Sequence, residues 1–142
     1  MSERFLITGS SGFLGSWVTR ELLARQLPLV LFDRDSDLRR LDQLLPGRPR
    51  DLTVVTGDVT DVEALKRVIE EHQVSRVIHL AALQIPPCRA NPLIGATVNV
   101  LGTLAVFEAA RQSGGIRQLV YASSAAVIGP EEQYGAGTIP ND

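Results

Sequence analysis

Cysteine is all but absent from this chain. Its 142 residues include a single one, Cys88, which excludes an internal disulfide and fits a reducing, cytoplasmic compartment. The N-terminus has no basic stretch leading into a long apolar one, so no secretory leader is expected. No stretch reads as long and apolar enough to span a bilayer, which leaves a membrane out of the expected partners. Nor is one sign of charge in excess. The net charge is −2 at pH 7, so no global pull toward nucleic acid is expected. The one basic concentration, Arg34, Arg39, Arg40, Arg48 and Arg50, reads as a solvated face, with service to a phosphate as the alternative. No metal-ligating set, fixed-period repeat or low-complexity tract is read. The rest is an ordinary globular composition, 44% hydrophobic and 21% charged, at a length that suits one domain with its own core.

Against these absences stand three glycines, Gly9, Gly12 and Gly15, spaced G-x-x-G-x-x-G between an apolar strand candidate (Phe5, Leu6, Ile7) and an amphipathic helix candidate. That order places the amides of Ser11, Gly12, Phe13 and Leu14 at a helix N-terminus, where a pyrophosphate would bind. A structural turn that binds nothing is the alternative. A second apolar run, Leu29, Val30, Leu31 and Phe32, ends in Asp33, about 20 residues past the glycines. A carboxylate there accepts hydrogen bonds from both ribose hydroxyls of an adenosine and repels a 2′-phosphate. The expected cofactor is therefore NAD, and the neighbouring Arg34, with Arg39, keeps NADP as the alternative. Asp58 and Val59 follow a third strand candidate and are expected near the adenine, although a helix-entry acid would look the same. Thr60 and Glu63 have capping-box spacing.

The remaining pattern is repeated strand–helix units. Strands are expected at 4–8, 29–32, 52–56, 76–80 and 118–122, and helices at 13–26, 62–72 and 92–113, with a short one at 37–44. Leu14, Val18 and Leu22 line one face of the first helix, and Val62, Leu65 and Ile69 one face of a later one. Pro86, Pro87 and Cys88 read as a stiff loop over the expected nicotinamide region. Alternating elements with apolar strands predict an α/β fold, a Rossmann-type doubly wound parallel sheet in strand order 3-2-1-4-5.

Taken together, Thr8 to Gly15, Gly57-Asp58-Val59, His79-Leu80-Ala81-Ala82, Asn99 to Thr103 and Ser123 to Gly129 resemble, in order, the extended short-chain dehydrogenase/reductases. More narrowly, the chain is similar to their NAD-dependent epimerase/dehydratase group. The resemblance implies a dinucleotide-binding domain over 1–129 and a loop at 130–142. It places Leu80, Ala81, Ala82, Asn99 and Ser123 at the cofactor and gives Ser124 a catalytic role, holding the substrate hydroxyl or carbonyl. His79 it makes structural. Ile128 stands where the family usually has an aromatic. The family's acid/base, a Tyr followed four positions later by Lys, would fall beyond Asp142. Tyr121 lies inside the fifth strand, and Tyr134 has Thr138 at the fourth position. The resemblance therefore leads us to expect a chain truncated before the later strands and substrate domain, inactive by itself. It also implies a nucleotide-sugar substrate for the full-length protein and a homodimer through the 92–113 helix. A non-catalytic dinucleotide-binding module or sensor-like relative is the alternative.

Overall fold

The structure, a computed structural model, describes residues 3–47 and 52–124. The expected loop at 130–142 and the motif residues beyond Ser124 lie outside the described residues. β1 (Phe5–Thr8), β2 (Leu29–Asp33), β3 (Thr53–Thr56), β4 (Arg76–His79) and β5 (Gln118–Tyr121) form one parallel sheet in the order β3-β2-β1-β4-β5, as the strand pattern predicts. Thr8 pairs with Phe32 on one side and His79 on the other, and Asp33 with Thr56, so the strands end together at one edge. The order reverses between β1 and β4, the kind of place where an open α/β sheet takes its ligand.

Side chains alternate across the sheet with period two. Leu6, Val30, Phe32 and Val77 face α3 (Val62–Glu71) and α6 (Gly102–Ser113), meeting Leu65, Ile69, Val106 and Ala109. Ile7, Leu29 and Leu31 face the other way, onto α1 (Phe13–Ala24) and onto Leu41 of α2 (Arg39–Leu44). Phe32 is wholly buried, and such a ring contributes roughly 1.5–3 kcal/mol over an exposed one.

Several local expectations need correcting. In α1 the buried positions are Gly15, Ser16 and Thr19, while Leu14 is exposed and Val18 and Leu22 are partly buried. Small residues face the sheet here because helix and glycine turn nearly touch. The two hydroxyls are satisfied within the helix, Ser16 Oγ donating to the Gly12 carbonyl (2.8 Å) and Thr19 Oγ1 to the Gly15 carbonyl (2.7 Å). The capping box does not form. Asp61 caps α3, its carboxylate accepting from the Ala64 amide at 2.9 Å, and Thr60 turns back to Asp58. Residues 86–88 are not a loop. Both prolines sit in the first turn of α4 (Ile85–Ala90), where a missing N–H costs nothing.

The long helix is also more complex than its periodicity suggests. It runs as α5 (Pro92–Ala96), a π-helical stretch at Thr97–Leu101, then α6. By length and composition the 22 residues Pro92–Ser113 are long and apolar enough to cross a membrane, contrary to the sequence expectation. In the fold α6 packs on α3 with Ala105, Val106 and Ala109 buried in the core they share, which accounts for part of that apolar character.

Candidate functional site

At the carboxyl edge of the sheet, where β1 and β4 diverge, lies a cavity of about 380 Å³, within the roughly 300–1,000 Å³ of small-molecule sites. Its floor is the glycine turn with Gly9, Ser11, Gly12, Phe13, Leu14 and Gly15. Asp33, Arg34, Gly57, Asp58 and Val59 form the wall on the β2–β3 side. Leu80, Ala81, Ala82, Leu83 and Gln84 form the wall on the β4 side, joined by Val98.

The glycines are dictated by contact distances. Gly9 adopts φ +72°, and a Cβ there would lie 2.6 Å from the Ala81 nitrogen. A Cβ on Gly15 would lie 2.1 Å from the Gly9 carbonyl oxygen. Only backbone can pass between strand and helix at these points. At Gly12 a Cβ would meet nothing but the Gly9 oxygen, at 3.1 Å, so this position opens toward the cavity. No side chain caps α1 at Gly12. The Phe13 and Leu14 amides thus open the helix with no carbonyl one turn back and with the positive end of the dipole behind them. The preceding Ser11 and Gly12 amides have protein partners: Gly12 donates to the Gly9 carbonyl (3.1 Å) and Ser11 to Asp33.

Asp33 stands at the end of β2 with one oxygen fixed. Its Oδ2 accepts from the Ser11 amide at 2.9 Å and the Ser11 hydroxyl at 2.8 Å, whereas Oδ1 has one long contact, the Asp35 amide at 3.4 Å. Asp58 is held by the amide (2.9 Å) and hydroxyl (2.8 Å) of Thr60. These bonds, with the nearby Arg34 guanidinium adding less, outweigh partial burial and keep its carboxyl below the usual carboxylate range. The β2–β3 wall therefore carries two anions beside a basic side chain.

The β4 wall is built differently. His79 is buried, and burial pushes its pKa down, which favours the neutral imidazole. Its Nδ1 lies 2.7 Å from Thr8 Oγ1 and its Nε2 3.0 Å from Thr103 Oγ1. Asn99, expected at the cofactor, does not line the cavity. From the π-helical stretch its Oδ1 accepts from the Leu83 amide (2.7 Å) and its Nδ2 donates to the Leu83 carbonyl (3.0 Å), so it acts on the wall through Leu83. Its Nδ2 also lies 3.6 Å from Cys88 Sγ.

Ser123 and Ser124 follow β5, exposed, at the same sheet edge but off the cavity wall. Tyr121 is exposed and packs edge-to-face on Phe107 with ring centroids 5.3 Å apart. Leu83, Gln84 and Val98 line the cavity without having been singled out. Each adjoins a recognised motif, so extending the motifs by one or two residues would have found them. Among the described residues no group of three or more His, Cys, Asp or Glu is placed to hold a metal.

Comparison with known proteins shows the family of the chain. Residues 5–141 match the NAD dependent epimerase/dehydratase family. The chain is 33% identical over 129 residues to a UDP-glucose 4-epimerase from Erwinia amylovora, covering 89% of this chain and 38% of that protein. Among solved structures it resembles the UDP-glucose 4-epimerase of Thermus thermophilus in complex with NAD (TM-score 0.73, 32% identity, 85% of this chain and 37% of that one). It also resembles the epimerase Mth375 of Methanothermobacter thermautotrophicus (TM-score 0.78, 30% identity, 99% of this chain and 40% of that one). The chain thus spans about two fifths of the length of these relatives. With the family match running over nearly its whole length and the sheet order in agreement, the chain belongs to the NAD dependent epimerase/dehydratase family.

Proposed function

We propose that this chain binds NAD at the carboxyl edge of its sheet and forms the cofactor half of an oxidoreductase-type epimerase or dehydratase acting on a nucleotide sugar. The observation that carries the reading is Asp33, a carboxylate at the end of β2 with Oδ2 fixed by Ser11 and Oδ1 only loosely engaged, beside a turn with no room for a Cβ at Gly9 or Gly15. The open face of Gly12 and the uncapped N-terminus of α1 suit a pyrophosphate on the Phe13 and Leu14 amides. Asp33 then takes the adenosine ribose and repels a 2′-phosphate, and the adenine lies by Asp58 and Val59. Crystallisation of the Thermus relative with NAD supports the same cofactor here.

When bound, NAD supplies a hydride acceptor. The described residues hold and orient it, and Ser124, at the same sheet edge, would orient the substrate hydroxyl. Ser124 cannot replace a general base, whose loss typically removes about 10²–10⁴ of rate. The sequence has no Tyr followed four positions later by Lys, and its single lysine, Lys66, lies on α3. Residues 1–142 alone are therefore expected to bind cofactor without turnover. Leu93, Val100, Leu101 and Leu104, all more than half exposed on Pro92–Ser113, favour a homodimer through that helix.

Calorimetric titration of NAD and NADP into the wild-type chain and Asp33→Asn tests the cofactor. NAD should bind more tightly to the wild type, and the substitution should narrow the preference. Tighter NADP binding to the wild type would overturn the role of Asp33. For the chemistry, incubation with NAD and a panel of UDP-, GDP- and dTDP-sugars should give neither NADH absorbance nor epimer. Turnover abolished by Ser124→Ala would reveal a base within this chain.

A further inference from the structure

Thr8, His79, Thr103 and Asn99 form a hydrogen-bonded chain behind the cavity that the glycine turn and Asp33 do not account for. Its protons can be ordered. The Asn99 main-chain carbonyl only accepts, so the Thr103 hydroxyl donates to it, at 2.8 Å. Thr103 Oγ1 then accepts from His79 Nε2 at 3.0 Å. A neutral imidazole with its proton on Nε2 leaves Nδ1 as an acceptor, and the Thr8 hydroxyl donates to it at 2.7 Å. The Thr8 oxygen is left to accept from the amides of Leu80 (3.3 Å) and Ala81 (3.4 Å). In this arrangement every hydroxyl donates once and no two protons meet. The opposite tautomer would turn Nδ1–H toward Thr8, whose own proton would have no acceptor among these groups. It would also leave Nε2 facing an oxygen whose proton already goes to Asn99.

The residues at both ends of this chain grip the same segment, Asn99 through its side chain. Thr8 holds the amides of Leu80 and Ala81, and Asn99 holds the amide and carbonyl of Leu83. Residues 80–83 are the β4 wall of the cavity. A dinucleotide lying across the switch point puts one nucleoside on each side of β1. With Asp33 on the β2 side, residues 80–83 face the other nucleoside. We infer that His79 is a positioning residue for the second nucleoside of the bound dinucleotide: held as the Nε2–H tautomer between Thr8 and Thr103, it fixes the wall formed by residues 80–83. This rests on the dinucleotide reading above and adds to it which residues set its second half.

The test compares Thr103→Val, which keeps the shape and removes the hydroxyl, with Thr103→Ser, which keeps the hydroxyl. Each is titrated calorimetrically with NAD and with ADP, which lacks the second nucleoside. Thr103→Val should weaken NAD roughly fivefold to tenfold, the worth of one hydrogen bond, and leave ADP within about twofold. Thr103→Ser should bind NAD like the wild type. Equal losses on both ligands, no loss on either, or no rescue by serine overturns the inference. The chain has two histidines, so a long-range proton–nitrogen spectrum of the unsubstituted protein resolves both imidazoles. His79 should appear as the Nε2–H tautomer, and an Nδ1–H or doubly protonated ring at neutral pH overturns the inference even if the valine variant does not fold. A wild-type chain that binds neither ligand overturns the dinucleotide reading and this inference with it. One that binds both while Thr103→Val behaves like the wild type overturns this inference alone.

Discussion

β2 and β5 have the same direction and nearly the same length, yet they sit in opposite surroundings. In β2, Leu29 through Phe32 are all buried, between α1 and α2 on one face and α3 and α6 on the other. In β5, Gln118, Val120 and Tyr121 are exposed and only Leu119 is partly buried. The difference extends to the edge each strand feeds. β2 ends in a carboxylate locked by Ser11 within the cavity wall. β5 ends in two exposed serines off that wall. Where recognition depends on backbone and one acid, a few adjacent residues complete it. At the β5 edge the described residues form no part of the cavity wall.

The contrast can first be broken through stability. Phe32→Ala should cost about 3–5 kcal/mol in chemical denaturation, and Val120→Ala less than about 0.5 kcal/mol. Similar costs would mean that β5 is covered in solution. Next comes the turn. Gly15→Ala sets a Cβ 2.1 Å from a backbone oxygen and 2.7 Å from Ser10 Cα, neither of which yields easily. We expect a loss of about 1–3 kcal/mol together with loss of NAD binding, whereas unchanged binding would show that α1 can shift. Asp33→Asn should weaken NAD binding by about 1–3 kcal/mol with stability nearly unchanged, which calorimetry and denaturation separate.

The pH dependence tests the β4 side. Burial lowers the His79 pKa in the folded chain, so as pH falls the unfolded chain takes up this proton first. The contribution to stability is fully present above the ordinary histidine pKa of about 6.5 and is lost progressively below it. Denaturation midpoints between pH 8 and pH 5 should fall, and His79→Gln should flatten that slope. A flat wild-type profile would show that His79 titrates as it does in the unfolded chain. The smallest effect on stability is expected on the exposed helix face. Leu104→Ser should shift stability by no more than about 0.5 kcal/mol yet reduce self-association in light scattering. Unchanged association would remove this face from the interface.

The β1–β3 half of the fold was legible because its determinants are local. Phe5 to Thr8 followed by the glycine triplet, and an apolar run closed by Asp33, carry their geometry in adjacent residues. The parts that were misread depend on tertiary contacts. Ser16 and Thr19 are buried only because Gly15 brings α1 down onto the turn, and no apolar periodicity marks them. Asp61 caps α3 instead of Thr60 because Asp58 binds the Thr60 hydroxyl. Asn99 reads as a contact that steadies the cofactor site, but the partner through which it reaches the wall, Leu83, lies 16 residues away in the chain, where no adjacent residue announces it.

One dinucleotide should lie across both halves of the sheet edge. The most direct measurement is a map of backbone amide shifts in the isotopically labelled chain as NAD is added. It should show saturable changes at Phe13, Leu14 and Arg34 and, in the same titration, at residues 80–84. Changes confined to one side of β1, or none at either, would contradict it.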